Sequence, residues 1–354
     1  MSRVRSLAIF CLLPTLLIAS QAPDTKPAAT PGERGSAPVS LDGEPFPLVA
    51  DLQGQNTSLL SLAFSPDGAT LAAAGDKGLI ELWKVADWQS SGILSGHTAT
   101  INSLAFSSDG AQLASGSDDA TVRVWDPANQ SELSQFKPTM ATNVYRVVFS
   151  PSGSELAVGA QMCVVQLVNP GSGILRRTLD QPGCGSTSFG WVRAWGIDYF
   201  PDSEGLVTGD GRGCCGGALF RWDEDRFVEP QLLVGYGLPV NEVVIDPSGT
   251  RVALSALGEP AVWIRDAASG ALIHEMIGHV FRVTALAFSP DGKLVASVSR
   301  DGALVLWDAE AGVEATRLTP KAGPLTDVAF SPDGRLLAAS TESGRVLVWD
   351  RGGG

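Results

Sequence analysis

The sequence predicts an all-β fold in which seven small sheets stand in a ring. A unit of about forty residues recurs seven times between about Pro45 and Asp350, and each unit contains three or four short apolar segments separated by turns. One small sheet cannot bury both of its faces, so sheets of this kind stack against their neighbours and close into a circle. The repeat therefore predicts a seven-bladed β-propeller that forms a single domain.

The turn after the first segment of each unit marks the repeat most clearly. Proline sets φ at the start of such a turn and glycine accepts a positive φ, so the chain can reverse within a few residues. We interpret these turns as structural. They are Pro66-Asp67-Gly68, Ser108-Asp109-Gly110, Pro151-Ser152-Gly153, Pro201-Asp202, Pro247-Ser248-Gly249, Pro290-Asp291-Gly292 and Pro332-Asp333-Gly334.

The segments within a unit have the composition of β-strands at different depths of a blade. Ile101–Phe106 is mostly apolar and suits an inner strand that is packed on both sides. The segment 294–298 is small and apolar, as expected of a second strand. The segment 121–125 alternates between polar and apolar residues and is rich in β-branched side chains, which is typical of a third strand.

The chain ends shortly after Trp349-Asp350, which leaves the seventh blade one strand short. An unpaired edge at the seam of the ring would invite pairing with another chain. The segment from Phe46 to Leu52 precedes the first complete unit and can supply the missing strand. We therefore predict that an N-terminal strand completes the last blade and closes the ring.

Residues 1–22 have the organisation of a secretory signal peptide. Arg3 and Arg5 precede the apolar run 7–19, and small and polar residues follow it. The run is shorter than a bilayer-spanning segment and contains Pro14, so we expect no permanent membrane span. The protein is expected to be exported to the periplasm or the extracellular space.

Residues 23–43 are rich in Pro, Ala, Gly, Ser and Thr, and a segment of this composition cannot bury enough apolar surface to fold. We expect a disordered tether here, followed by the propeller over residues 44–354. The formal net charge of the chain is −13. This charge excludes an electrostatic footprint for nucleic acid and favours basic or neutral partners.

Four cysteines follow the signal segment, and in an exported chain they indicate disulfide bonds. Cys184 lies in one Gly-rich insertion of the fourth unit, and Cys214 and Cys215 lie in a second. We predict a bridge from Cys184 to either of the adjacent pair. Cys163 is the remaining candidate, and the pairing among the four stays open.

The repeat resembles the WD-repeat family of β-propellers, and the resemblance covers about residues 45–350. The second and sixth units carry the polar residues with which that family links the strands of a blade through a buried chain of hydrogen bonds. The implied role of these residues is structural. They are His97, Ser115, Asp119 and Trp125 in the second unit, and His279, Ser297, Asp301 and Trp307 in the sixth.

The resemblance implies a scaffold that binds a protein or peptide, without catalysis and without a cofactor or metal. Family members usually bind across a rim made by the loops that enter each first strand and the turns that precede each third strand. Arginine is favoured at such interfaces because its guanidinium group can bind a carboxylate through two hydrogen bonds. The candidate rim residues are Thr100, Asp118, Asn143, Arg193, Arg282 and Arg300.

No catalytic motif stands out in the chain. The stretch from His274 through Glu275 to His279 has one residue too many for a zinc-protease motif, and the sequence has no Gly-x-Ser-x-Gly elbow or phosphate loop. We expect a monomeric ring. Two alternatives stay open, because the same architecture also hosts other functions: a propeller enzyme or cofactor-binding protein of hydrolase, lyase or quinone-dependent type, and a subunit of an envelope assembly or sensing complex.

Overall fold

The structure is a computed structural model. It describes residues 46–139, 143–160, 164–180, 196–203, 205–209, 218–223, 231–235 and 239–352. The expected signal peptide, the expected tether, Arg193 and the cysteines of the predicted disulfide lie outside the described residues.

The described residues form 28 strands and no helix. The strands make seven four-stranded antiparallel sheets, the blades, which follow one another along the chain. The first strand, β1 (Leu48–Gln53), belongs to blade 7. Blade 1 comprises β2 (Leu59–Phe64), β3 (Thr70–Gly75), β4 (Leu79–Lys84) and β5 (Ser90–Ser95). Blades 2 and 3 comprise β6 (Ile101–Phe106), β7 (Leu113–Ser117), β8 (Val122–Asp126), β9 (Ser131–Phe136), β10 (Val144–Phe149), β11 (Leu156–Ala160), β12 (Val164–Val168) and β13 (Leu175–Asp180).

Blades 4 to 7 repeat the same order from the inner strand to the outer strand. Blades 4 and 5 comprise β14 (Ile197–Tyr199), β15 (Gly205–Gly209), β16 (Ala218–Asp223), β17 (Gln231–Gly235), β18 (Val240–Ile245), β19 (Arg251–Ala256), β20 (Ala261–Asp266) and β21 (Leu272–Ile277). Blades 6 and 7 comprise β22 (Val283–Phe288), β23 (Leu294–Ser299), β24 (Leu304–Asp308), β25 (Val313–Leu318), β26 (Leu325–Phe330), β27 (Leu336–Thr341) and β28 (Arg345–Asp350).

The N-terminal strand β1 closes the ring, as the sequence predicts. It pairs antiparallel with β28 as the outer strand of blade 7, and Leu52 lies opposite Val346. An ion pair between Arg345 and Asp51 joins the two strands at one end. The backbone N–H of Asp350 donates to the carbonyl of Pro47 at 3.1 Å at the other end. The strand begins two residues later than Phe46, where the sequence placed its start.

The hydrophobic core lies between the blades. In one of its clusters Val262 and Ile264 of blade 5 pack with Leu286, Val295 and Trp307 of blade 6. The small second-strand residues allow neighbouring sheets to approach closely over the whole face. Burial of this apolar area between blades is the main driving force for the fold.

The turns and loops divide between the two faces of the ring. The turn after each inner strand lies on one face, which we call the turn face. There Gly68 has φ = 70° and the Ser65 hydroxyl accepts a hydrogen bond from the backbone N–H of Thr70 at 2.9 Å. The loops into the inner strands, such as 96–100 and 278–282, lie on the opposite face, which we call the entry face.

Candidate functional site: the mouth of the central channel

Buried polar side chains hold the entry loop of blade 2. The Nδ1 atom of His97 lies 2.8 Å from Asp119 Oδ2, and its Nε2 atom lies 2.7 Å from the Ser115 hydroxyl. The indole N–H of Trp125 donates to the same hydroxyl at 2.9 Å. Burial lowers the pKa of His97, although Asp119 opposes this effect, so the imidazole favours its neutral form.

Blade 6 repeats this arrangement with its own residues. The two ring nitrogens of His279 lie 3.0 Å from Asp301 and 2.7 Å from Ser297, and Trp307 donates to Ser297 at 2.8 Å. Asp301 also accepts the backbone N–H of Val280 at 2.9 Å. The network therefore fixes the backbone of the entry loop and leaves the loop side chains free to face solvent.

Two other blades replace the network with residues that the sequence motif does not single out. In blade 4 the indole N–H of Trp222 donates to the Thr208 hydroxyl at 2.9 Å. In blade 1 the Asn56 side chain donates to the carbonyl of Leu79 and accepts the N–H of Lys77, both at 3.1 Å. In blade 4 the sequence could have indicated this hydrogen bond, because a tryptophan and a polar residue lie on adjacent strands. Asn56 offers no comparable pattern.

Within the part of the chain that the structure describes, six inner strands share one irregularity on the channel axis. The pairing of β2, β6, β10, β18, β22 and β26 with the following strand skips one residue, which is a β-bulge. A bulge turns the side chain of the extra residue out of the regular alternation. All six skipped residues line one cavity at the entry face, and they are Leu60, Asn102, Tyr145, Asn241, Thr284 and Thr326.

The cavity, which we call the channel mouth, has a volume of about 400 Å³ and lies where the inner strands converge. Below the bulges it is bordered by Arg146, Glu242 and Asp327, which occupy the same position on three different inner strands. The guanidinium group of Arg146 lies 2.6 Å from Glu242 Oε1. The carboxylate of Asp327 accepts the backbone N–H of Leu62 in the next blade at 2.9 Å.

Carboxyl groups outnumber cations in this cluster, in which Glu242 is buried and Arg146, Asp198 and Asp327 are half-buried. Burial is the main cause that raises the pKa of Glu242 to about 8; Arg146 opposes this shift, and the nearby Asp327 and Asp198 add to it. Burial also raises the pKa of Asp198 to about 6, and it raises that of Asp327. The raised pKa values mean that these carboxyl groups, Glu242 above all, hold protons that ordinary carboxylates release near neutral pH. A cation placed beside them would favour release of those protons, so the channel mouth favours an additional positive charge.

The structure brings three of the predicted rim residues to the channel mouth. Asp118, Asn143 and Arg282 line it. Asp118 accepts hydrogen bonds from the Asn143 amide at 2.7 Å and from the Asn102 amide at 2.8 Å, so these side chains are mutually positioned.

The other rim residues contribute less directly. Thr100 does not line the cavity, but its carbonyl accepts the backbone N–H of Asp118 at 2.9 Å. Arg300 forms an ion pair with Glu342, which is itself a lining residue. Arg193 lies outside the described residues.

The stretch that resembles a zinc motif is part of outer strand β21 and the following loop. His274 lies in the strand, and its Nε2 atom is 2.8 Å from the carbonyl of Glu310. Among the residues that the structure describes, no cluster of His, Cys, Asp and Glu side chains could hold a metal ion. The same part of the chain contains no helix that is long and apolar enough to cross a membrane.

The fold and the repeat define the class of this protein. A family model described as "WD domain, G-beta repeat" matches residues 46–84, 88–126, 270–308 and 314–350. Each match joins the outer strand of one blade to the three inner strands of the next, because the sequence repeat and the blade are offset by one strand. The chain belongs to the WD-repeat β-propellers, whose members generally bind other proteins. A comparison with curated proteins finds no match.

Proposed function

We propose that the protein is an exported, non-catalytic scaffold that binds a basic or neutral protein or peptide through the entry face. The observation that carries the proposal is the channel mouth, where the Arg146 guanidinium interacts with three nearby carboxyl groups, those of Glu242, Asp327 and Asp198. A positive group from a partner would supply the missing charge.

Rigid loops support this role. The hydrogen-bond networks of blades 2 and 6 hold the entry loops in place before a partner arrives, so little conformational entropy is lost on binding. The bulges present six side chains from six blades to one cavity, which suits recognition of a protruding group. Export remains part of the proposal on the basis of the N-terminal segment 1–22 alone.

The test measures the binding of fluorescein-labelled, mixed-sequence peptides to the full chain by fluorescence anisotropy. We expect lysine-rich peptides to bind more tightly than otherwise matched glutamate-rich peptides. The variant Asp327→Asn removes one negative charge but keeps an oxygen that can accept the Leu62 N–H, and it should weaken lysine-rich peptides several-fold.

The control is Glu310→Gln, which removes an equal charge from a fully exposed side chain on the turn face. Equal affinity for both peptide classes, or equal effects of the two variants, would contradict the proposed use of the channel mouth.

A further inference from the structure

Exposed apolar side chains follow the chain from the end of outer strand β21 through the entry loop of blade 6, which ends at the channel mouth. Ile277 is 69% exposed, Val280 is 76% exposed and Phe281 is 61% exposed. The next residue along the chain, Arg282, lines the cavity. We call Ile277, Val280 and Phe281 the blade 6 patch.

The fold does not require apolar residues at these positions, and blade 2 provides the internal comparison. The entry loop of blade 2 has the same network and polar or small residues at the matching positions, which are Ser95, Thr98 and Ala99.

The two loops share the backbone hydrogen bonds at the positions of Val280 and Phe281. Thr98 and Val280 donate their N–H groups to the network aspartates at 3.0 and 2.9 Å, respectively. The carbonyls of Ala99 and Phe281 accept hydrogen bonds from Ser117 and Ser299 at 3.2 and 3.0 Å.

Since one scaffold supports both sets of side chains, folding cannot account for the apolar set. Three largely exposed apolar residues within five positions of one segment, on a fixed loop backbone, favour contact with another molecule. A molecule bound to the patch would also reach the carboxylate-rich channel mouth, because Arg282 follows Phe281 in the chain and lines that cavity.

We propose that the blade 6 patch binds a partner segment in which apolar side chains stand next to a lysine or arginine. The apolar side chains cover Val280 and Phe281, and the basic side chain enters the channel mouth towards Asp327 and Glu242. This inference rests on the proposed function and adds the kind of sequence that the entry face selects.

Charge distinguishes this occupant from the other possibilities. Two further carboxylates, Asp118 and Glu342, line the channel mouth with Glu242 and Asp327, and of these Glu342 is paired with Arg300. Among its described lining residues the basic ones are Arg146 and Arg282. A partner with a basic residue is therefore favoured over one with an acidic residue. The net charge of −13 also disfavours a second copy of the chain and an anionic lipid surface.

The test uses the full chain and a variant that copies the blade 2 loop, Ile277→Ser, Val280→Thr and Phe281→Ala. The probes are lysine-containing peptides with neighbouring leucine and phenylalanine, and the same peptides with alanine in place of these residues. We expect the variant to lose about tenfold or more in affinity for the apolar peptides, since an interface depends on a few buried anchors. Its affinity for the alanine peptides should stay unchanged.

Two controls separate binding from folding. The variant should keep the denaturation midpoint of the original chain, because the blade 2 residues make the same backbone hydrogen bonds at the two central loop positions. Ile174→Ser removes an apolar side chain of similar exposure, 66%, from the turn face and should not change peptide affinity.

Other outcomes overturn the inference in distinguishable ways. If the loop variant binds the apolar peptides as tightly as the original chain, while Asp327→Asn still weakens binding of lysine-rich peptides, the patch is not a binding site and the proposed function stands. Tighter binding of glutamate-flanked apolar peptides through Arg282, which has no ion pair with any described residue, would reverse the stated chemistry. A dimer in sedimentation, or binding to zwitterionic vesicles, that the loop variant abolishes would identify a second copy or a membrane as the occupant.

Discussion

Replacement of Trp307 by phenylalanine measures what the buried network adds to blade stability. Trp307 is 2% exposed, and its indole N–H donates to Ser297 at 2.8 Å. Trp83 of blade 1 is also buried, at 5% exposed, but its indole N–H donates to no described side chain. The two Trp→Phe changes remove the same atoms from similar interblade packing, so their difference isolates the hydrogen bond.

The expected magnitudes follow from this comparison. Loss of part of a buried ring should cost about 1–2 kcal/mol at either site. Trp307→Phe should lower the free energy of unfolding by about a further 1 kcal/mol, the usual net value of a hydrogen bond. The additional loss stays modest because the Ser297 hydroxyl keeps its contact with His279 at 2.7 Å.

The assay is chemical denaturation followed by tryptophan fluorescence and circular dichroism, with the slope of each transition compared among variants. A double-mutant cycle with Ser297→Ala gives the coupling directly, and we expect about 1 kcal/mol between the two residues. Equal destabilisation by Trp307→Phe and Trp83→Phe, together with zero coupling, would refute the stabilising role of the network.

Three further predictions concern closure, pH and the cysteines. Deletion of residues 44–54 should unfold or aggregate the domain because it removes β1 and exposes β28, whereas deletion of 23–40 should leave the melting temperature unchanged. Equal melting temperatures of the two deletion variants would contradict closure of the ring by β1. Glu242 has a pKa of about 8 in the folded protein and the ordinary value of 4.5 in the unfolded chain, so between pH 5 and 8 only the folded state keeps the proton. The free energy of unfolding should therefore fall as the pH rises, by up to about 1.4 kcal/mol per pH unit. Glu242→Gln should flatten that slope in denaturation curves, and an unchanged slope would assign it elsewhere. Mass spectrometry of the exported, unreduced protein should find Cys184 bonded to one of the adjacent pair, a bridge worth about 3–4 kcal/mol, and free thiols at all three positions would contradict it.

The sequence by itself determined the architecture of this protein. The repeated turns gave the number of blades, and the missing last strand predicted that β1 would pair with β28, as it does. These features could be predicted because each depends on local chemistry: glycine at a positive φ, alternation along a strand, and the count of strands per unit. The hydrogen-bonded Trp, Ser and His residues of blades 2 and 6 could also be predicted, because they recur at the same spacing within one unit.

The tertiary structure alone decided how the channel mouth is built. Arg146, Glu242 and Asp327 look like isolated polar residues in apolar strands, and nothing in their spacing places them together. Closure of the ring brings equivalent positions of different blades onto one axis, so residues about a hundred positions apart share a buried, poorly solvated space. The β-bulges that turn six side chains into the cavity could not be predicted from the sequence either, because they arise from strand pairing rather than from composition. Local chemistry fixes each blade, and the charge balance of the site exists only once the blades converge.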